Sequence, residues 1–119
     1  MSYIFDVEDD TVWSPSNRVG ELYVGMLNAA AGTLRLPTGL SPDTGDMYEI
    51  DIAKFGPLVK EMLATRAHSS HQYLWILMDG VLPISITILE RAGSEIVADT
   101  EEEQRYLTTV HGMKLPMQK

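Results

Sequence analysis

The stretch "QYLWILMDGVLPISITILER", Gln72–Arg91, is the most apolar part of the chain and its reading decides the fold. It carries Asp79-Gly80 and Pro83 in its middle. Three readings compete. A membrane span needs about 20 mostly apolar residues; here Asp79, Gly80 and Pro83 interrupt the run, and an acid inside lipid is costly. A β-hairpin has Asp-Gly as a favoured two-residue turn, and Leu82, Ile84, Ile86 and Ile88 then alternate with Ser85 and Thr87. Against it, Tyr73 to Met78 does not alternate, and Pro83 would sit in a ladder to which it cannot donate. A helix capped by Ser69 or Ser70 aligns Leu74, Leu77, Met78, Val81, Ser85, Ile88, Leu89 and Ala92 on one side. Ile76, Pro83 and Ile86 add apolar surface beside Gln72, Asp79 and Glu90 on the other, so such a helix is buried nearly all round. Its cost is about 1 kcal/mol for Gly80 and about 3 for Pro83. It also requires a kink where Pro83 leaves the carbonyl of Asp79 without a donor. Local chemistry leaves hairpin and helix close to parity.

Outward from this stretch the chain is legible in pieces. "YIFDV" (3–7) reads as a strand that pairs with "YEI" (48–50). Ser14 and Pro15 suit the cap and first position of a helix. Its apolar face is Val19, Leu22, Tyr23, Met26, Leu27 and Ala30, with Trp13 stapled onto it and Gly32 as the stop. Gly20 and Gly25 weaken that helix unless a neighbour packs closely. "LPTGLSPDTGDM" is a loop by its Pro, Gly and Asp content. Asp51 caps a helix with Ile52, Phe55, Val59, Met62 and Leu63 on one face, kinked or irregular at Pro57. Gly93 closes the central helix, "SEIVAD" is a short strand or extended linker, and Thr100 with Glu103 forms a capping box. The last helix turns Tyr106, Leu107 and Val110 inward and ends at Gly112, leaving "MKLPMQK" as a tail.

The motifs "YIFD", "VWSPSN…G", "LPTG", "IDIAKF" and "ERAG" follow one another in an order that resembles a family of small actinobacterial proteins of unknown function. The resemblance covers Tyr3 to Gly93 and does not extend to the last quarter. Ser14 stands where that family has Asn, and Ile52 where it has Pro; both differences preserve the capping logic. The resemblance implies a mainly helical fold with Gln72–Arg91 as a helix. It implies no activity and no catalytic residues. The expected architecture is α+β over 1–119 as one domain: four helices around a long kinked central helix, with a short N-terminal strand pairing. A hairpin at Gln72–Glu90 is the alternative.

Composition narrows function more than any motif does. The 119 residues hold no cysteine, which removes disulfides, thiolate catalysis and cysteine metal sites. The N-terminus has no basic or apolar signal segment, so a cytoplasmic location is expected. Nine basic against seventeen acidic residues give a net charge of −8. Neither nucleic acid nor anionic membrane favours such a chain, whereas a basic protein does. Asp43-Thr44-Gly45 matches the aspartic-protease triplet but lacks bracing strands, and a turn explains it. His68 and His71 share a helical spacing but no third ligand completes a metal site. Asp46, Glu49 and Asp51 lack the ligand alternation of a calcium loop. No catalytic residue, metal or cofactor is therefore expected. The expectation is a protein-binding module, in its sharpest form an immunity protein or antitoxin that neutralises a basic toxin through Glu8, Asp9, Asp10, Asp43, Asp46, Glu49, Glu101 and Glu102. A helical homodimer with a structural or small-ligand role is the alternative, and a metal-dependent enzyme using His68 and His71 the third.

Overall fold

The computed structural model describes residues 2–113, 115–117 and 119. The elements are β1 (Ile4–Val7), β2 (Asp10–Trp13), α1 (Asn17–Leu34), β3 (Leu40–Pro42), β4 (Met47–Ile50), α2 (Ile52–His68), α3 (Gln72–Asp79), α4 (Leu82–Arg91) and α5 (Glu101–His111). The α+β class is as expected. The arrangement differs: a four-stranded mixed sheet and five helices replace four helices around one kinked helix. The tail expected over 113–119 includes Lys114 and Gln118, which lie outside the described residues.

The sheet order is β2-β1-β4-β3. The expected pairing of β1 with the "YEI" segment is present and parallel, with Phe5 opposite Tyr48. β2 and β3 were not expected. β2 follows a two-residue turn in which Glu8 and Asp9 both adopt positive φ, 49° and 71°, the backbone of a tight hairpin turn. Phe5 faces Trp13 but Asp6 faces Thr11, so Val12 is an extra, bulged residue. A bulge re-aims side chains, and here both Val12 and Trp13 are buried although adjacent. Arg91 at the end of α4 donates to the Val12 carbonyl (2.9 Å) and to that of Met117 (2.7 Å).

Trp13 therefore belongs to the sheet, stacked on Phe5 and edge-on to Tyr23 of α1, rather than stapled onto a helix start. The expected cap at Ser14 is also displaced. Tyr3 donates to the Pro15 carbonyl and Ser2 bridges Ser16, so the chain stays extended until Ser16. Ser16 caps α1, and its side chain makes no capping bond. At the other end α1 runs past Gly32 to Leu34, with Arg35 left-handed at φ 58°. The stop is Pro37, which forces the residue before it out of helical backbone.

Asp51 caps α2 as expected, accepting from the Ala53 N–H at 3.0 Å. α2 continues through Pro57. The carbonyl left without a donor is that of Ala53, which is exposed and open to water. Gly56, with no Cβ, also removes the usual clash with a following proline.

The central stretch is neither hairpin nor one helix. α3 and α4 meet at Gly80-Val81 with a bend of 43°. Pro83 falls at the second position of α4, where its missing N–H is one of the four that have no partner in any helix. The penalty of about 3 kcal/mol for an interior proline is thereby avoided. No single helix among the described residues is long and apolar enough to cross a membrane; only the bent pair α3–α4 passes on length and composition. α4 is the true centre: Leu82, Ile86 and Ile88 are fully buried, and Ser85 takes the Tyr23 hydroxyl at 2.7 Å while donating to the Val81 carbonyl. Burial pushes the Tyr23 phenol well above its ordinary value.

Candidate functional site

The acids anticipated as a partner surface fall into three places. Glu8 and Asp9 form the β1–β2 turn and Asp10 opens β2, and Glu49 of β4 reaches the turn, accepting from the Glu8 N–H at 3.0 Å. Asp43 and Asp46 sit at the opposite end of β4, in the β3–β4 turn. Glu101 and Glu102 open α5, which packs against α2. The sheet acids and the α5 acids are therefore not one patch: Glu102 lies beside Arg66 and Arg105 near the far end of α2, roughly 20 Å along that helix from β4. Charge pairing divides them again. Among the described residues, Glu8, Asp9, Asp10, Asp43, Asp46 and Glu49 have no ion-pair partner, while Glu101 meets Arg105 at 3.6 Å. Asp43-Thr44-Gly45 is a turn, closed by the Asp43 N–H on the Met47 carbonyl (2.8 Å), with Gly45 at φ 63°.

The third glutamate of the α5 start behaves differently. Glu103 is 3% exposed. It makes one half of the expected capping box, its N–H donating to the Thr100 hydroxyl at 3.2 Å, while its carboxylate accepts from the Thr100 hydroxyl and the Asp99 N–H. Its carboxylate is also tied to α2 through Lys60 Nζ (3.2 Å) and His68 Nε2 (3.0 Å). Burial alone would raise its pKa, but the hydrogen bonds from His68 and Lys60 hold it below the ordinary carboxylate range. Lys60 also reaches Asp99 at 3.1 Å and the Val97 carbonyl, pinning the connection between α4 and α5. His68 thus faces Glu103, whereas the His71 ring lies against Tyr73. Among the described residues no three His, Asp or Glu side chains gather to hold a metal ion.

Asp79, the last residue of α3, is held by two partners. Arg66 Nε donates to Oδ1 at 2.8 Å and Nη2 to Oδ2 at 3.3 Å, and the Tyr106 hydroxyl donates to Oδ1 at 2.7 Å. The guanidinium lies between Trp75 (5.0 Å) and Tyr106 (4.9 Å), a cation–π sandwich joining α2, α3 and α5. Desolvation pushes the Asp79 pKa up, but the bonds from Arg66 and Tyr106 outweigh it and leave it lowered. Burial and the Asp79 carboxylate together raise that of Tyr106.

The feature that periodicity misassigned is apolar. Val19, Leu22 and Leu77 were expected in the core and are exposed; so are Tyr73 and Ile76. Of these, Leu77 lines a groove of about 320 Å³ between α1 and α3, walled also by Met26, Ala30, Leu34, Leu74 and Met78; Leu22 lines a separate hollow on α1 with Arg18, Glu21 and Gly25. The sequence did hold a signal. α3 is apolar on every side, yet an eight-residue helix at the surface can bury only one.

A model of a family of unknown function (DUF6086) matches residues 1–119. The chain belongs to that family. No curated protein and no solved structure matches it. Among the described residues, Asn17 Oδ1 is a buried side-chain polar atom without a hydrogen-bond partner, and the acids at the ends of the sheet have no ion-pair partner.

Proposed function

We propose that the chain is a protein-binding module, an immunity protein or antitoxin that neutralises a basic, nucleic-acid-acting toxin, and that it acts by occlusion rather than catalysis. The observation that carries this reading is that, among the described residues, Glu8, Asp9, Asp10 and Glu49 at one end of the sheet and Asp43 and Asp46 at the other have no ion-pair partner, in a chain of net charge −8. Unpaired acids leave a negative field that draws a basic surface at long range and speeds encounter. Glu101 and Glu102 lie apart and take the lesser role. The setting that goes with this reading is the cytoplasm of an actinobacterium, where such toxins act.

The test is co-expression with the product of the neighbouring gene. Rescue of growth from a basic toxin is expected, as is an association rate that falls steeply with ionic strength. Asp9→Lys with Asp10→Lys should slow association at low salt by about tenfold and leave dissociation nearly unchanged. Rates indifferent to salt and to this charge reversal would sink the reading.

A further inference from the structure

The sheet acids leave the other unpaired surface unexplained. Of seven large apolar side chains exposed among the described residues, five lie on α1 and α3: Val19, Leu22, Tyr73, Ile76 and Leu77. Together they present on the order of 600 Å² of apolar surface, most of the roughly 800 Å² per partner of a standard interface. We infer that this face docks a second copy of the same chain, α1–α3 against α1–α3, about a two-fold axis.

Charge favours a second copy. From Leu22 to Leu34 and from Gln72 to Met78 the sequence carries no charged residue. Two chains of net charge −8 repel, and along Gly25 to Leu34 and Gln72 to Met78 they can meet without burying like charges, with Arg18 and Glu21 at the rim beside Leu22. A basic partner, by contrast, would gain nothing here from its charge. Shape favours it too. α3 carries both a ridge, Tyr73 and Ile76, and one wall of the adjoining groove, Leu74 and Leu77. A surface with ridge beside groove is self-complementary under two-fold rotation, the commonest symmetry of oligomers.

Two glycines supply an independent argument. Gly25 and Gly32 lie inside α1 and are exposed, and no heavy atom comes within 4 Å of where a Cβ would sit at either. Each weakens the helix relative to Ala. Gly20 of the same helix has its reason within the chain, because the Tyr3 side chain fills the space a Cβ would need. Gly25 and Gly32 have none. With Ala29 between them, at helical spacing on one face, they make a shallow line along which another helix can approach closely. The second copy supplies the packing that this chain does not.

Sedimentation equilibrium of the full chain at about 50 μM, near physiological salt, reads the result. A mass near twice 13.3 kDa is expected. Leu22→Lys and Ile76→Lys, both at exposed positions, should each weaken the dimer at least tenfold with an unchanged circular-dichroism spectrum. Gly25→Ala should raise the melting temperature of the monomeric Ile76→Lys protein yet weaken association of the otherwise unaltered chain; Gly25→Leu should abolish it. A monomeric unaltered chain overturns the inference, and so does a dimer indifferent to Leu22→Lys, Ile76→Lys and Gly25→Leu. Neither result touches the sheet acids, so a monomer that still binds a basic toxin leaves the proposed function standing.

Discussion

α3 and α4 are consecutive pieces of one apolar stretch, yet they have opposite fates. In α4, Leu82, Pro83, Ser85, Ile86, Ile88 and Leu89 are buried; in α3 only Met78 is, and Tyr73 is three-quarters exposed. α4 crosses beneath α2 and the β2 bulge, so neighbours cover most of its circumference. α3 lies outside the bend, held at its end by Asp79 and along one side by Leu74, Trp75 and Met78. Apolar content therefore did not set depth. Depth was set by how many neighbouring elements reach each helix, and the exposed apolar side of α3 became available for another chain.

The widest separation is expected in the cores of the two helices. Ile86→Ala removes a fully buried side chain and should destabilise by about 3–4 kcal/mol in urea unfolding. Ile76→Ala, measured on the monomer, should stay within about 0.5 kcal/mol. Equal effects would break the comparison.

The tether of α3 comes next. Asp79→Asn weakens the Arg66 pair and the acceptor of the Tyr106 hydroxyl. Asp79 is 41% exposed, so the expected loss is only about 1 kcal/mol. Amide exchange should quicken in α3 and stay unchanged in α4. Acceleration in both helices would mean that they open as one unit.

Acid sharpens the same contrast. The folded pKa of Asp79 and of Glu103 lies below the ordinary values of 3.8 and 4.5. The stabilisation from both is full above those values and disappears as pH falls through the lower folded ones. Between those limits the unfolded chain binds more protons, so stability rises with pH. The urea midpoint should therefore fall below about pH 4.5, and less so for Asp79→Asn and for Glu103→Gln. Identical acid profiles for the variants and the parent would place the acid sensitivity elsewhere.

The smallest effect is expected at the bend. Pro83→Ala should cost about 1 kcal/mol or less, from lost contact alone, because the second position of a helix accepts proline. A gain near 3 kcal/mol would mean instead that α3 and α4 are one helix strained by Pro83.

What the sequence determined by itself is short-ranged. Asp51 on the Ala53 N–H, Thr100 with Glu103, and Gly93 at φ 85° after α4 were all legible, because each cap is a bond among residues two to five positions apart. So were most of the buried faces of α2 and α5, where the apolar residues recur at helical spacing. The acids were legible as residues, although not their division into paired and unpaired groups. Tertiary structure decided the rest. Pro83 was expected inside a helix because only the neighbours of Gly80-Val81 make a break there compatible with the core. β3 forms from a Pro- and Gly-rich loop because β4 offers it an edge. Val19 and Leu22 stand outside because α1 can turn only one side to the sheet, and Tyr23 and Leu27 occupy that side. Glu103 is buried because Lys60 and His68, more than thirty residues away in sequence, meet its charge. A pattern within one segment states which surfaces are apolar or charged. Which of them is covered depends on neighbours that the segment does not encode.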